Sequence, residues 1–307
     1  MAQETKGLTR DPYQEAGLTV DRLLFGDNQF FGVNHMSEEK ARAQALRFQS
    51  TDAIISVLDA AYGAGVTTFM CTTHDRIAEV AERVRAEPAR YERQIFYPCM
   101  PYAHKYANAM GDAGVFGAIK QFLPDGGILD AAMRGGKSFA RKDIEGVITL
   151  LIDAEMKMFS GLKTPVIFLQ NVVVDFLLGM GFIEAFRIFA DHVTKEYHAE
   201  PAFITMNMPR LLDALDSIGV ENPIVCSNIN KIGFRMSGGI DSYIDALNNR
   251  KFRAIAMSVF ASGAIHPDEA VAWVTSLPNV ESIVFGASSR ANIESTVELV
   301  EKYWRSP

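Results

Sequence analysis

The stretch SIVFGASSRANIESTVELVEKYW, residues 282–304, decides the fold. It opens with a short apolar run at 282–288 and continues into an amphipathic helical pattern at 291–304. A short, continuously apolar run that leads directly into a helix is typical of one βα unit with a buried parallel strand. The fold therefore depends on how many such units the chain contains.

The same pattern recurs along the whole chain of 307 residues. Seven further apolar runs predict strands at 23–26, 66–71, 94–100, 165–171, 202–207, 223–228 and 252–260. Eight βα units in this length predict an α/β protein with one TIM-type (β/α)8 barrel over residues 1–307. The competing doubly wound sheet would place a GxGxxG turn after the first strand, and the chain has FGDNQFFG there.

Two segments are too long for minimal βα units. Residues 27–50 follow the first strand, with a predicted helix at 37–48, and residues 101–164 separate strands three and four, with a predicted helix at 143–158. Loops after barrel strands leave at the carboxyl-terminal mouth, so both segments are predicted to be active-site lids. Residues 1–20 form an N-terminal extension, and a single helix is expected over 182–192.

Composition bears on the compartment and the partners. The formal net charge is −7, with no basic block, and no apolar run reaches the length of a membrane span. The first residues lack the apolar core of a signal peptide, and the three cysteines form no CxxC pair. We therefore expect a cytoplasmic protein with a small-molecule substrate and neither a nucleic-acid nor a membrane partner. The oligomeric state cannot be read from the sequence.

Polar side chains cluster after the predicted strands, which is the face that carries the chemistry in this fold. Histidine titrates near working pH, and a neighbouring carboxylate can orient it for proton transfer. Strand-end positions could also be polar only because they meet solvent. The candidate catalytic residues are Asp27, His74, Asp75, His104, Lys105 and Gln170.

The segment GASSRANIE, residues 286–294, opens a helix through small residues. Small side chains let backbone N–H groups approach an anion, and a helix N-terminus favours negative charge. With Arg290 nearby, the segment is predicted to bind phosphate. The alternative is an ordinary helix cap formed by Ser288 or Ser289, with Arg290 in solvent.

From the fifth strand onward the chain resembles the aldo-keto reductases. The resembling segments are MNMPRLLDAL, IVCSNIN, AMSVFASG and VAWVTSLPNVESIVFGASSRANIEST, and LDAAYGAGVTTF resembles the family's first helix and second strand. The resemblance implies a (β/α)8 barrel that reduces carbonyl groups with NADPH. By the same match, the residues implied to bind the cofactor are Asn207, Asn230, Ser258, Ser262, Gly263, Gly286, Ala287, Ser288 and Arg290.

The catalytic residues of that family do not carry over. Its Asp, Tyr, Lys and His fall on Met70, Asp75, about Cys99, and Gln170, so all four are replaced. The glutamine and the stacking tyrosine that hold nicotinamide fall on Cys226 and Ile229. The phosphate side of the cofactor site is thus retained, while the nicotinamide side is rebuilt. Tyr102 could supply a tyrosine from another strand, although no spacing supports it.

Several functions remain open from these residues. The favoured one is a non-redox lyase, isomerase or hydrolase, in which His74 and His104 perform acid–base chemistry on a small polar, possibly phosphorylated, substrate. The first alternative is an NAD(P)H-dependent oxidoreductase with His74 or His104 as the replacement proton donor. The second is a catalytically inactive barrel that binds a partner. A metal site is not favoured, and its weak candidates are His35, His74 and His104, with Asp27 as a further ligand.

Overall fold

The computed structural model describes residues 20–33, 37–102 and 139–304. Eight parallel strands pair in sequence order, and β8 pairs with β1, so the sheet closes into a barrel. The predicted fold class is confirmed. The strands are β1 (Leu23–Gly26), β2 (Thr68–Thr72), β3 (Ile95–Met100), β4 (Val166–Leu169), β5 (Glu200–Thr205), β6 (Ile224–Asn228), β7 (Arg253–Met257) and β8 (Val280–Phe285).

Ten α-helices lie in the described part of the chain, most of them in a ring around the barrel. They are α1 (Glu38–Arg47), α2 (Thr51–Gly63), α3 (Asp75–Ala86), α4 (Phe139–Met156), α5 (Asn171–Met180), α6 (Glu184–Tyr197), α7 (Met208–Ser217), α8 (Ile240–Asn249), α9 (Pro267–Val274) and α10 (Arg290–Tyr303). None of the described helices is long and apolar enough to cross a membrane.

Alternate strand residues divide the apolar side chains into two buried clusters. Leu24, Met70 and Phe168 belong to the cluster inside the barrel. Phe25 and Phe69, which are their neighbours in sequence, belong to the cluster between the strands and the helices. Because both faces of each strand are buried, the strands read as continuous apolar runs, which is why the sequence revealed them.

Side-chain caps start four of the helices and set where the loops leave the barrel. Ser50 accepts a hydrogen bond from Ala53 N, and Ser289 accepts one from Asn292 N. Ser289 was one of the two candidate caps named from the sequence for α10. His74 and Asn207 cap α3 and α7, which brings these two predicted site residues to the mouth ends of their strands.

The segment after β4 differs from the prediction. A single helix was expected over 182–192, whereas the chain forms α5 and then α6. Gly181 ends α5 with φ of +69°, a left-handed conformation in which its backbone N–H bonds the carbonyls of Leu177 and Leu178. The predicted helix therefore corresponds to α6, and α5 was missed.

The second predicted lid is only partly a loop. Its later part is α4, which packs on α6 in the outer ring. Asp153 on α4 accepts hydrogen bonds from Tyr197 at 2.6 Å and pairs with His192 Nε2 at 2.7 Å. Residues 103–138 lie outside the described residues, so a lid role there stays a prediction.

The first predicted lid begins with a 3-10 turn, Asn28–Phe31, and continues into α1. Phe30 packs edge-on against Phe48 just beyond α1, with ring centroids 5.0 Å apart. This contact holds the segment on the barrel and places Phe31 at the mouth beside β2.

Candidate active site

The floor of the mouth between β2 and β3 is neutral. Met70 and Cys99 stand where the resemblance places the family's Asp and Lys, and both belong to the interior cluster. Burial raises the pKa of the Cys99 thiol well above its usual range, and Asp27 adds to the effect. Cys99 is therefore a protonated, apolar floor residue and not a nucleophile at neutral pH.

Asp27 follows β1 and is the buried carboxylate of the mouth. Its Oδ2 accepts hydrogen bonds from the backbone N–H and the hydroxyl of Thr72, each at 2.7 Å. Burial raises the pKa of Asp27 above its ordinary value, and the two Thr72 bonds oppose that rise. Asp27 thus fixes the last residue of β2, two positions before His74.

His74 is held in one orientation. Its Nδ1 accepts the backbone N–H of Arg76 at 3.0 Å, so a neutral His74 ring carries its proton on Nε2. The ring stacks on Phe31 with centroids 4.3 Å apart. Asp75 is exposed in the first turn of α3. Because Nδ1 is an acceptor here, it cannot donate to Asp75, and the expected carboxylate support through that atom is not formed.

Tyr102 follows β3 after the cis peptide Met100–Pro101 and meets His74 at the mouth. The Tyr102 and His74 ring centroids are 5.3 Å apart at 61°. Partial burial raises the pKa of Tyr102 above its ordinary value of 10, the charge of Asp27 raises it further, and Arg76 lowers it. The hydroxyl is therefore protonated at neutral pH and lies within electrostatic reach of both charges.

Of the remaining predicted catalytic and metal-binding residues, the structure describes only Gln170. His35, His104 and Lys105 lie outside the described residues, so their roles stay predictions. Gln170 caps α5 without a side-chain capping bond, and its backbone N–H bonds Met100 O at 2.8 Å beside β3. Within the described ranges, no group of three His, Cys, Asp or Glu residues is arranged to hold a metal ion.

The rim after β5 and β6 is shaped by the two predicted cofactor asparagines. Asn207 Oδ1 accepts the backbone N–H of Arg210 at 3.3 Å and caps α7. Asn230 is fully buried, and its amide bonds the backbone N–H and carbonyl of Phe234 at 2.8 and 2.9 Å. Both amides serve the loops, and contact with a nucleotide stays a prediction for each.

The rim after β7 has an unusual backbone. Ser258 and Ser262 have φ of +55° and +57°, and Gly263 has +93°. Few residues other than glycine adopt these values, which often mark functional sites. In the described part of the chain neither serine hydroxyl has a hydrogen-bond partner. Two hydroxyls therefore remain available on a tightly turned loop, which suits a phosphate-bearing ligand.

At the rim after β8, Gly286 lies against Gln29, and helix α10 begins at Arg290. A Cβ added at Gly286 would lie 2.3 Å from Gln29 Oε1, so a larger residue there would require the Gln29 side chain to move. Ala287 is buried and Ser288 is partly exposed. Arg290 is exposed and lies 3.5 Å from Glu294 of the same helix. The helix-cap alternative is thus realised in Ser289, and phosphate binding by Arg290 stays a prediction.

Sequence reasoning gave no role to three residues of the cluster and named a fourth without support from spacing. Thr72, Phe31 and Arg76 were not singled out, and Tyr102 had no spacing to support it. The pairing of strands β2 and β3 would have revealed these residues, because Thr72 on β2 pairs with Cys99 on β3. That pairing makes the two strands end level, so the residues just beyond them meet.

Comparison with known proteins finds similar folds among solved structures only. No protein-family model matches the sequence, and a search of curated proteins finds no match. Solved structures do match. A candidate aldo-keto reductase from Pseudomonas aeruginosa has a TM-score of 0.61 and 12% identity, covering 94% of this chain and 93% of that one. A thermostable aldo-keto reductase has a TM-score of 0.57 and 10% identity over 93% of both chains. An aldo-keto reductase from Bacillus halodurans has a TM-score of 0.54 and 10% identity, covering 92% of this chain and 86% of that one.

These matches correct the favoured function. The sequence favoured a lyase, isomerase or hydrolase, whereas the similar structures are described as aldo-keto reductases, so the non-redox interpretation is wrong. The expected resemblance is confirmed at the level of the fold, over nearly the whole length of the chain. The protein has an aldo-keto-reductase-like (β/α)8 barrel.

Proposed function

We propose that the protein is an NADP(H)-dependent oxidoreductase that reduces a carbonyl group, with Tyr102 as the proton donor and His74 beside it. The observation that carries this proposal is the contact between the Tyr102 and His74 rings, at 5.3 Å. It brings two proton-bearing groups together at the corner of the barrel mouth where the family's own proton donor is replaced by Asp75.

The described residues fit the phosphate side of such a cofactor. Ser258 and Ser262 offer hydroxyls without partners in the described chain, on a left-handed loop beside Gly263. Ser288 and the start of α10 would add contacts on the neighbouring rim. Cys226 and Ile229 are fully buried and cannot pair with or stack on a nicotinamide ring from the surface. When bound, the cofactor supplies a hydride.

The residues of the cluster have separable tasks. Tyr102 is protonated at neutral pH and gives its proton to the oxygen of the reacting carbonyl. A neutral His74 ring has its proton on Nε2 because Nδ1 accepts from Arg76 N, so it can donate a second hydrogen bond to the same oxygen. Two donors aimed at one oxygen stabilise the negative charge that develops there.

Asp27 and the floor support these donors. Asp27 bonds Thr72 and so holds the end of β2, from which His74 projects. Met70 and Cys99 contribute no charge beneath the cluster, and the low local dielectric of a buried apolar floor strengthens each hydrogen bond above it. The Asp–Lys pair implied by the family was thus replaced at both positions by neutral residues, which leaves no buried charge without a partner.

The test is NADPH consumption by the full chain with a panel of small aldehydes and ketones. Tyr102→Phe should lower kcat by roughly 100- to 10,000-fold, the usual contribution of a positioned acid. The matched control is Tyr62→Phe on α2, whose hydroxyl accepts the backbone N–H of Arg93 away from the mouth. Absence of NADPH oxidation across the panel, or an unchanged rate in Tyr102→Phe, would contradict the proposal.

A further inference from the structure

Arg76, at the start of α3, is a half-buried cation without a carboxylate partner in the described chain. One N–H of its guanidinium donates to the carbonyl of Phe48, and the group lies 4.9 Å from the Phe31 ring centroid. No acidic side chain lies within ion-pair distance of it in the described ranges. The remaining N–H groups of the guanidinium are therefore not matched by any anionic side chain among the described residues.

Several other arginines of the chain, unlike Arg76, have carboxylate partners among the described residues. Arg83, on the same helix, pairs with Asp52 at 3.0 Å. Arg250 pairs with both Asp213 and Asp216. The chain has seven more acidic than basic side chains, so partners are not scarce. A partly desolvated cation that goes unpaired costs free energy, and an anionic ligand is one way to offset that cost.

Arg76 lies close to the proposed proton donors, His74 and Tyr102. The ring of Phe31 contacts both the Arg76 guanidinium and the His74 ring. Tyr102 contacts both His74 and Phe31, with centroids 5.3 and 6.5 Å away. The proton donors and the unpaired cation are therefore grouped around one aromatic side chain.

The neighbouring acid does not neutralise Arg76. Asp27 directs its Oδ2 to Thr72 and is only 6% exposed. Asp75 and Glu79 lie on the same helix, and neither is within ion-pair distance of Arg76. A ligand carboxylate could make two parallel hydrogen bonds to the guanidinium, which is the geometry that arginine favours.

We propose that Arg76 binds the carboxylate of the substrate and that the protein reduces 2-oxo acids to 2-hydroxy acids. This inference rests on the proposed oxidoreductase function. The carboxylate and the carbonyl of a 2-oxo acid are on adjacent carbons, which matches a cation and two proton donors in one cluster. Reduction breaks the carbonyl π bond, forms a C–H bond with the hydride of the reduced nicotinamide, and forms an O–H bond with the proton of Tyr102. Oxidised nicotinamide and the 2-hydroxy acid are released, and solvent reprotonates Tyr102.

The first test compares phenylglyoxylate with its neutral amide under NADPH turnover. The wild type should prefer the acid, and Arg76→Gln should lower kcat/KM for the acid about 100-fold while changing the amide by less than about threefold. Arg76→Lys should restore part of the preference, because an ammonium supplies charge without the bidentate fork. Arg83→Gln, also on α3, is the matched control and should leave the preference unchanged. Thermal midpoints of all variants show whether each one folds.

The second test needs no turnover. Oxamate, a planar carboxylate that resembles a 2-oxo acid, is titrated into cofactor-free protein by calorimetry. Binding to the wild type that falls at least tenfold in Arg76→Gln supports the carboxylate site. Absence of binding to the wild type, or equal binding to both proteins, overturns it. If neutral carbonyls are reduced as well as acids, the substrate class is wrong and the oxidoreductase stands. If oxamate binding depends on Arg76 but no carbonyl is reduced, the anion site stands and the oxidoreductase fails.

Discussion

Two buried aspartates, one at each end of β1, are bonded to β2 in the same manner but face different surroundings. Asp21 precedes β1 and accepts the hydroxyl of Thr68, the first residue of β2. Asp27 follows β1 and accepts the hydroxyl of Thr72, the last residue of β2. The same Asp–Thr connection thus occurs at the closed end of the barrel and at its open mouth.

The surroundings separate a structural aspartate from one that serves the site. Around Asp21 the chain is fully packed: Ser282 donates to the Asp21 carbonyl, and the buried Tyr97 hydroxyl bonds the Asp21 backbone. Around Asp27 lie the His74, Tyr102 and Arg76 side chains, which are only partly buried. In (β/α)8 barrels the amino-terminal end serves stability and the carboxyl-terminal end serves chemistry. Under the proposed function, this chain uses the same Asp–Thr hydrogen bond at both ends.

The largest predicted effect is on stability at the closed end. Asp21→Ala removes the acceptor of a buried hydroxyl and should lower the free energy of unfolding by about 3 kcal/mol. Equilibrium urea denaturation measures this change. At a temperature where the variant is folded, its affinity for NADPH should match that of the wild type. A large loss of NADPH affinity in a folded Asp21→Ala protein would contradict the assignment of stability to the closed end and ligand binding to the mouth.

An intermediate effect is predicted at the contact between Gly286 and Gln29 on the rim after β8. Gly286→Ala forces Gln29 to move, which costs its 2.7 Å bond to Gly26 O, and should destabilise the protein by about 1–3 kcal/mol. Gly146→Ala, in the middle of α4 with open space around it, is the control and should stabilise by up to about 1 kcal/mol. Denaturant midpoints give both values. Equal stability of the two variants would show that the Gly286–Gln29 contact does not contribute to the stability of the protein.

The smallest predicted effect is the pH dependence that Asp27 gives to stability. The pKa of Asp27 is raised in the folded protein above its ordinary 3.8. Between those two pKa values, Asp27 is ionised in the unfolded chain and protonated in the folded chain. Asp27 therefore makes the free energy of unfolding fall as pH rises, by up to about 1.4 kcal/mol per pH unit. The fall is complete above the raised pKa.

Asp27→Asn removes this ionisation and keeps an oxygen for the Thr72 bonds. Its thermal midpoint relative to the wild type should therefore increase from pH 4 to pH 7. A difference that stays constant over this range would mean that Asp27 has no raised pKa in the folded protein.

The sequence predicted the barrel better than the site, for physical reasons. Barrel strands are buried on both faces, so each leaves a continuous apolar run, and caps such as Ser50 and Ser289 are local signals. Helix α5 was missed because its β-branched run at 172–174 follows directly on the predicted strand 165–171. Tyr102 and His74 lie 28 positions apart, and their contact depends on strands β2 and β3 ending level, which no local pattern records.

The function was also harder to predict than the fold. The loss of the family's Asp, Tyr, Lys and His pointed away from reduction, since a missing proton donor is visible in sequence and its replacement is not. The replacement proposed here, Tyr102, comes from the end of a different strand. His104 and Lys105, in the segment that follows it, stay predictions outside the described residues.

The measurement that tests the central claim most directly is a fluorescence titration of the cofactor-free full chain with NADPH. The account predicts saturable binding with Kd on the order of micromolar, weakened at least about tenfold in a Ser258→Ala/Ser262→Ala double variant. Ser276→Ala, whose hydroxyl bonds Trp273 O on the exposed surface, should bind NADPH as the wild type does. An absence of saturable binding at millimolar NADPH would contradict the claim that this barrel is an NADP(H)-dependent oxidoreductase.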